Sequence, residues 1–90
     1  MSAETCFSLV AEPSPYVLPR VFDVLARHGV VPAHCHTRVD ARDDAPDSRA
    51  ITIDLHLADV DAQLTQKLAH GLGRLVEVAD ILIGAKCAPR

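Results

Sequence analysis

The sequence predicts an α+β domain in which strands and helices follow the order βαββαβ, giving a four-stranded antiparallel sheet with two helices on one face. Three observations carry this. Arg49–Leu57 alternates with period two, placing Ile51, Ile53, Leu55 and Leu57 on one side and Thr52, Asp54 and His56 on the other. Two stretches carry apolar residues at helical spacing, one ending at Gly29 and the other at Gly71–Gly73. Each helix is flanked by apolar, strand-like runs, so a strand–helix–strand unit occurs twice in 90 residues.

The first strand is Thr5–Ala11, with Phe7, Leu9 and Ala11 on one face and Cys6, Ser8 and Val10 on the other. Glu12-Pro13-Ser14-Pro15 breaks it. Ser14 is placed to cap a helix and Pro15 to occupy its first position, where a missing N–H costs nothing. Leu18, Val21, Phe22 and Leu25 form the helix's apolar face, and Gly29 supplies a left-handed terminus. Val30–Val39 is the second strand, with Val31, Ala33, Cys35, Thr37 and Val39 directed at the core; Pro32 marks it as an edge.

Asp40–Ser48, which includes Asp43, Asp44 and Asp47, reads as the solvated loop to the third strand, Arg49–Leu57. Asp59 caps the second helix, whose stripe is Val60, Leu64, Leu68, Leu72 and Leu75. Val76–Ile83 is the fourth strand. Residues 1–4 and 85–90 are expected to be tails around one domain at 5–84, with fraying from Gly84. Right-handed crossovers then dictate the strand order fourth, first, third, second, the ferredoxin-like sandwich.

Composition narrows the function. At 49% apolar and 23% charged residues, the chain has enough apolar side chains for a core and is not disordered. A net charge of −3, with no aromatic on the open faces of the central strands, excludes a base-stacking nucleic-acid module. No apolar run is long enough to span a bilayer, and Met1-Ser2-Ala3-Glu4 lacks a basic export start. Cys6, Cys35 and Cys87 have no CxxC spacing and suit reduced thiols, which points to the cytoplasm.

No catalytic constellation, phosphate loop or cofactor motif is present in the sequence. In His34-Cys35-His36 the alternation sends the thiol one way and the imidazoles the other, so the three cannot converge on a metal, and no metal ligands are assigned. His34 and His36 with His56 instead form a histidine patch across the open face, beside Asp54. Self-pairing of the second strand would double that patch at a two-fold axis and make the interface pH-sensitive.

Three stretches resemble the ACT domain, and specifically the small regulatory subunit of acetolactate synthase in its short single-domain form. They are Leu18-Pro19-Arg20-Val21 with His28-Gly29, Asp40–Ile53 with Asp43-Asp44 and Ser48-Arg49-Ala50-Ile51-Thr52-Ile53, and Leu75-Val76-Glu77-Val78-Ala79-Asp80. The resemblance implies a non-catalytic homodimer that binds and activates a thiamine-diphosphate-dependent catalytic large subunit in branched-chain amino acid biosynthesis. It also implies an effector site at the dimer interface, beside the loop after the first strand. In this chain Pro13, Ser14, Pro15, Tyr16 and Val31 occupy that site; Pro13 and Val31 stand where the family has Asn, and Tyr16 where it has Gly. Loss of those groups predicts weak or absent feedback by valine. The expected dimer interface is Val31, Ala33, Cys35, Thr37 and Val39, with the first helix flanking the seam. The alternative is a stand-alone amino-acid-sensing or metal-responsive binding module.

Overall fold

A computed structural model describes residues 4–42 and 47–84 of the chain. Six elements follow in order: β1 (Glu4–Ala11), α1 (Val17–Arg27), β2 (His34–Ala41), β3 (Arg49–Ala58), α2 (Ala62–Gly73) and β4 (Val78–Gly84). The sheet order is β2-β3-β1-β4, all antiparallel, which is the arrangement the sequence predicts. Asp43 and Asp44, Cys87 and the outer tail residues lie outside the described residues.

The core lies between the sheet and the helices. β1 contributes Phe7, Leu9 and Ala11, and β3 contributes Ile51, Ile53, Leu55 and Leu57. Over them pack Val17, Val21, Val24 and Leu25 of α1, Leu68 and Leu72 of α2, and Val60 ahead of α2. Burying each of the larger side chains is worth about 1.5–3 kcal/mol relative to leaving it in water.

Helix α1 departs from the expected face. Its buried set is Val17, Val21, Val24 and Leu25, while Phe22 remains 39% exposed. The helix begins at Val17, not Pro15, and Tyr16 occupies the cap position without a side-chain hydrogen bond. Ser14 acts one step earlier, its Oγ accepting the Tyr16 N–H at 3.1 Å within the preceding turn. The C-terminus is as expected: Gly29 has φ 69°, the Val30 N–H donates to Leu25 O and the Gly29 N–H to Ala26 O.

At α2 the cap is Asp61, whose Oδ1 accepts the Leu64 N–H at 2.8 Å. Asp59, the expected cap, instead turns the chain out of β3 with φ 59°, a left-handed conformation that Asp tolerates better than most residues. Gly71 lies at the closest approach of the two helices, where a Cβ would meet Val24 Cγ1 at 3.0 Å. Gly84, expected to fray, is the last residue of β4, and Val76 lies outside that strand, 84% exposed.

The largest correction concerns β2. Cys35, Thr37 and Val39 pair with Leu55, Ile53 and Ile51 and so point to the helix side of the sheet, as the alternation requires. They are nevertheless exposed, as is every residue of the strand. Alternation fixes the direction of a side chain, whereas burial also needs a layer above it, and neither helix extends over this border. Val31 precedes the strand and is 85% exposed.

Candidate functional site

The loop between β1 and α1, where the sequence places the effector residues, is closed on itself. Pro13 and Pro15 have no N–H to offer. The Glu12 N–H donates to Glu77 O at 2.9 Å and the Ser14 N–H to Glu12 O at 2.8 Å. The Tyr16 N–H is taken by Ser14 Oγ, and the Val17 N–H donates to Ser14 O at 3.2 Å. The N–H groups of Glu12, Ser14, Tyr16 and Val17 are therefore engaged within the chain. The Tyr16 ring is 64% exposed, with the Arg20 guanidinium 6.0 Å from its centroid.

Two residues that the sequence reading did not assign to a site meet beside this loop. The Arg20 guanidinium donates to Glu77 Oε2 at 2.7 Å, linking the first turn of α1 to the segment that enters β4. Glu77 is the one buried charged residue among those described, at 7% exposure, and its Oε1 is buried without a hydrogen-bond partner. An acid inside the apolar run Leu75–Val78 was the only signal available in the sequence; its partner, 57 positions away, was not legible.

Val31 does not join the loop within one chain. It follows the C-terminus of α1, whereas Pro13–Tyr16 precede its N-terminus, and eleven helical residues span roughly 16 Å. Only a second chain could bring Val31 beside this loop.

The β2 border presents the other expected residues. Ala33 is tied to β3 by its N–H donating to His56 O at 2.8 Å. Pairing with β3 then runs without a register shift from His34↔His56 to Ala41↔Arg49, leaving eight regular residues whose outer edge is unpaired. The opposite border differs. The register of β1 with β4 shifts between Val10 and Ala11, and the Asp80 carboxylate accepts the Ile81 N–H at 3.0 Å. A bulge and a side chain that occupies an edge donor both blunt a strand against pairing, and β2 has no bulge. On the β2 side, Phe22 lies roughly 160° around α1 from Val24, the residue that faces α2. Cys35, Thr37 and Val39 thus lie exposed along the free border, and Phe22 is exposed on the flank of α1 turned away from α2.

The histidines come together only in part. The His34 and His56 rings are cross-strand neighbours with centroids 5.6 Å apart, and His56 Nδ1 lies 4.0 Å from Glu4 Oε1. Asp54, directly opposite His36, accepts a hydrogen bond from Ser8 Oγ at 2.7 Å. No group of three or more metal-ligating side chains forms among the described residues.

Cys6 is buried and disulfide-bonded, which departs from the expected set of reduced thiols; Cys35 is free and exposed. Desolvation by its neighbours, and then the charge of Asp54, hold the Cys35 thiol above its ordinary pKa. No helix among the described residues is long and apolar enough to cross a membrane.

No protein-family profile and no curated protein matches the chain. Solved structures do. The ACT domain of GTP pyrophosphokinase from Chlorobium tepidum superposes with a TM-score of 0.71 at 12% identity, over 92% of this chain and 99% of that one. The regulatory subunit of aspartate kinase from Thermus thermophilus, in its ligand-free form, gives 0.67 at 16% identity. That match covers 92% of this chain and 51% of the subunit. The C-terminal domain of the MgtC protein from Mycobacterium tuberculosis gives 0.68 at 16% identity, covering 93% and 87%. At these identities the likeness establishes a shared fold.

Proposed function

We propose that the chain is a non-catalytic regulatory module of the ACT type, which forms a homodimer through β2 and activates a partner enzyme. The partner we propose is the catalytic large subunit of a thiamine-diphosphate-dependent acetolactate synthase, acting in branched-chain amino acid biosynthesis. The observation that carries this reading is the free β2 border: eight regular exposed residues, opposite a border blunted by a bulge. Two copies joined antiparallel at Thr37 would form one eight-stranded sheet, with Cys35 beside Val39 and His34 beside Asp40 across the seam. The fold shared with ACT domains supports the regulatory assignment. The three resembling stretches in the sequence support the choice of enzyme.

The engaged donors of the loop support weak or absent valine feedback, because a carboxylate would have to displace existing hydrogen bonds. Co-purification tests the partner. Tagged chain mixed with an acetolactate synthase large subunit should retain that subunit and raise its activity, and failure to do either refutes the enzyme assignment.

One observation favours the second reading, amino-acid sensing without a dedicated enzyme. Glu77 Oε1 is an unsatisfied acceptor beside the loop, which an α-ammonium group would complement if the loop opened. Calorimetric titration with valine, leucine and isoleucine separates the two readings: heat from saturable binding supports sensing, and its absence supports the first.

A further inference from the structure

On the outside of the helix layer, a cleft of about 800 Å³ runs between α1 and α2. Arg20 and Arg27, seven residues apart, line its α1 wall, and Lys67 and Arg74, also seven apart, line its α2 wall. Two helical turns separate the members of each pair, so each pair lies along one helix face. Gly71 lies between them, at the point where the helices come closest.

The chain as a whole has a net charge of −3, yet four of its nine Lys and Arg residues converge here. Among the described residues the cleft is lined by one acid, Asp23, which is already engaged. Asp23 pairs with Arg27 at 2.9 Å, and Glu77, outside the lining, pairs with Arg20 at 2.7 Å. Among the described residues no carboxylate pairs with Lys67 or Arg74. His28 and His70 complete the lining. His28 is held in place by its Nδ1, which lies 3.0 Å from Val24 O, so Nε2 is left for other partners.

With Arg20 and Arg27 each paired to a carboxylate, Lys67 and Arg74 carry the uncompensated positive charge of the cleft, which a bound anion would neutralise. We propose that this cleft binds a small anion carrying two or more linked phosphate groups. The donor set fits such a ligand. Guanidinium forks give paired, charge-assisted hydrogen bonds to phosphate oxygens, and a lysine adds a mobile point charge. The volume falls within the range of small-molecule sites, roughly 300–1,000 Å³. An acidic polypeptide fits less well, because the described residues of the cleft include no Phe, Tyr or Trp anchor and helices wall it on both sides. The basic residues do not extend into the long stripe that nucleic acid requires.

The test is a titration of the full chain, isotope-labelled, with inorganic tripolyphosphate at 150 mM salt, followed by amide NMR shifts. Orthophosphate, citrate, ATP and poly-glutamate are run in parallel. Tripolyphosphate should shift residues 20–28 and 67–74 saturably, and the K67A/R74A double variant should bind at least about tenfold more weakly, as loss of two charge-assisted contacts implies. Both side chains are exposed, so the variant should retain the wild-type fold, which its amide spectrum reports. Tighter binding of ATP than of tripolyphosphate would identify a nucleotide as the source of the phosphates. Equal binding would identify the phosphate chain alone. Shifts elsewhere, unchanged binding by the variant, or equal response to citrate would overturn the proposal, as would preference for poly-glutamate or absence of binding.

Discussion

Replacing Arg20 with Ala tests the interaction that ties the first helix to the last strand. The substitution leaves Glu77 buried with neither carboxylate oxygen paired among the described residues, since there Oε1 already lacks a partner and only Arg20 serves Oε2. Breaking a fully buried ion pair costs about 3–5 kcal/mol, whereas an exposed pair is worth about 0–1 kcal/mol. The Arg20 side chain is 51% exposed and that of Glu77 9%, so this pair is intermediate and R20A should lose about 2 kcal/mol. In a domain of this size that corresponds to a fall in Tm of roughly 8–16 °C. Urea unfolding followed by circular dichroism measures it. The double variant R20A/E77Q should be more stable than R20A, because the second change removes the unpaired charge. An R20A variant within about 0.5 kcal/mol of wild type, the range of an ordinary surface change, would mean that the pair does not hold α1 to β4, as would a double variant less stable than R20A.

Three further outcomes follow from local geometry. Gly29→Ala must place a Cβ on a left-handed residue and should cost about 1–2 kcal/mol in urea unfolding, although nothing obstructs the Cβ sterically. Asp61→Ala removes the cap of α2 and should cost about 1 kcal/mol, while Asp59→Asn, at the left-handed turn residue, should be near neutral. At pH 8 Cys35 should react with iodoacetamide more slowly than a free thiol, and Asp54→Asn should speed it, because removing the negative charge brings the pKa down and raises the thiolate fraction. The same raised pKa means the unfolded chain ionises first. Cys35 therefore stabilises the fold fully below the ordinary thiol range and ceases to as pH rises through its higher folded pKa, a loss that Cys35→Ser should abolish.

How much of this was legible in the sequence depends on the range of the interaction. The alternation of Ile51, Ile53, Leu55 and Leu57 fixed both the strand and its buried face, since a period of two allows only one reading. Handedness and connection rules then ordered the sheet correctly. The Gly29 terminus and the stripe Val60, Leu68 and Leu72 were equally readable. Caps were not, because Ser14 and Asp59 each sit two residues before the residue that takes the position, and every one of these side chains has local alternatives open to it. Phe22 reads as core in the sequence because a helix with apolar residues on more than one flank does not reveal which flank meets its neighbour; in the fold Val24, not Phe22, faces Gly71 of α2. The exposure of β2, the Arg20–Glu77 pair and the basic cleft all depend on how elements distant in sequence lie against one another, which no local pattern encodes.

Sedimentation equilibrium of the wild-type chain beside a Thr37→Lys variant tests the proposed assembly most directly. Thr37 is exposed on the helix side of β2, so lysine there should leave the monomer's far-ultraviolet spectrum unchanged while setting two ammonium groups against each other at the two-fold seam. Wild type should sediment as a dimer and the lysine variant as a folded monomer, with Thr37→Pro also monomeric. A wild type that sediments as a monomer, or a lysine variant that remains dimeric, would contradict the proposed assembly.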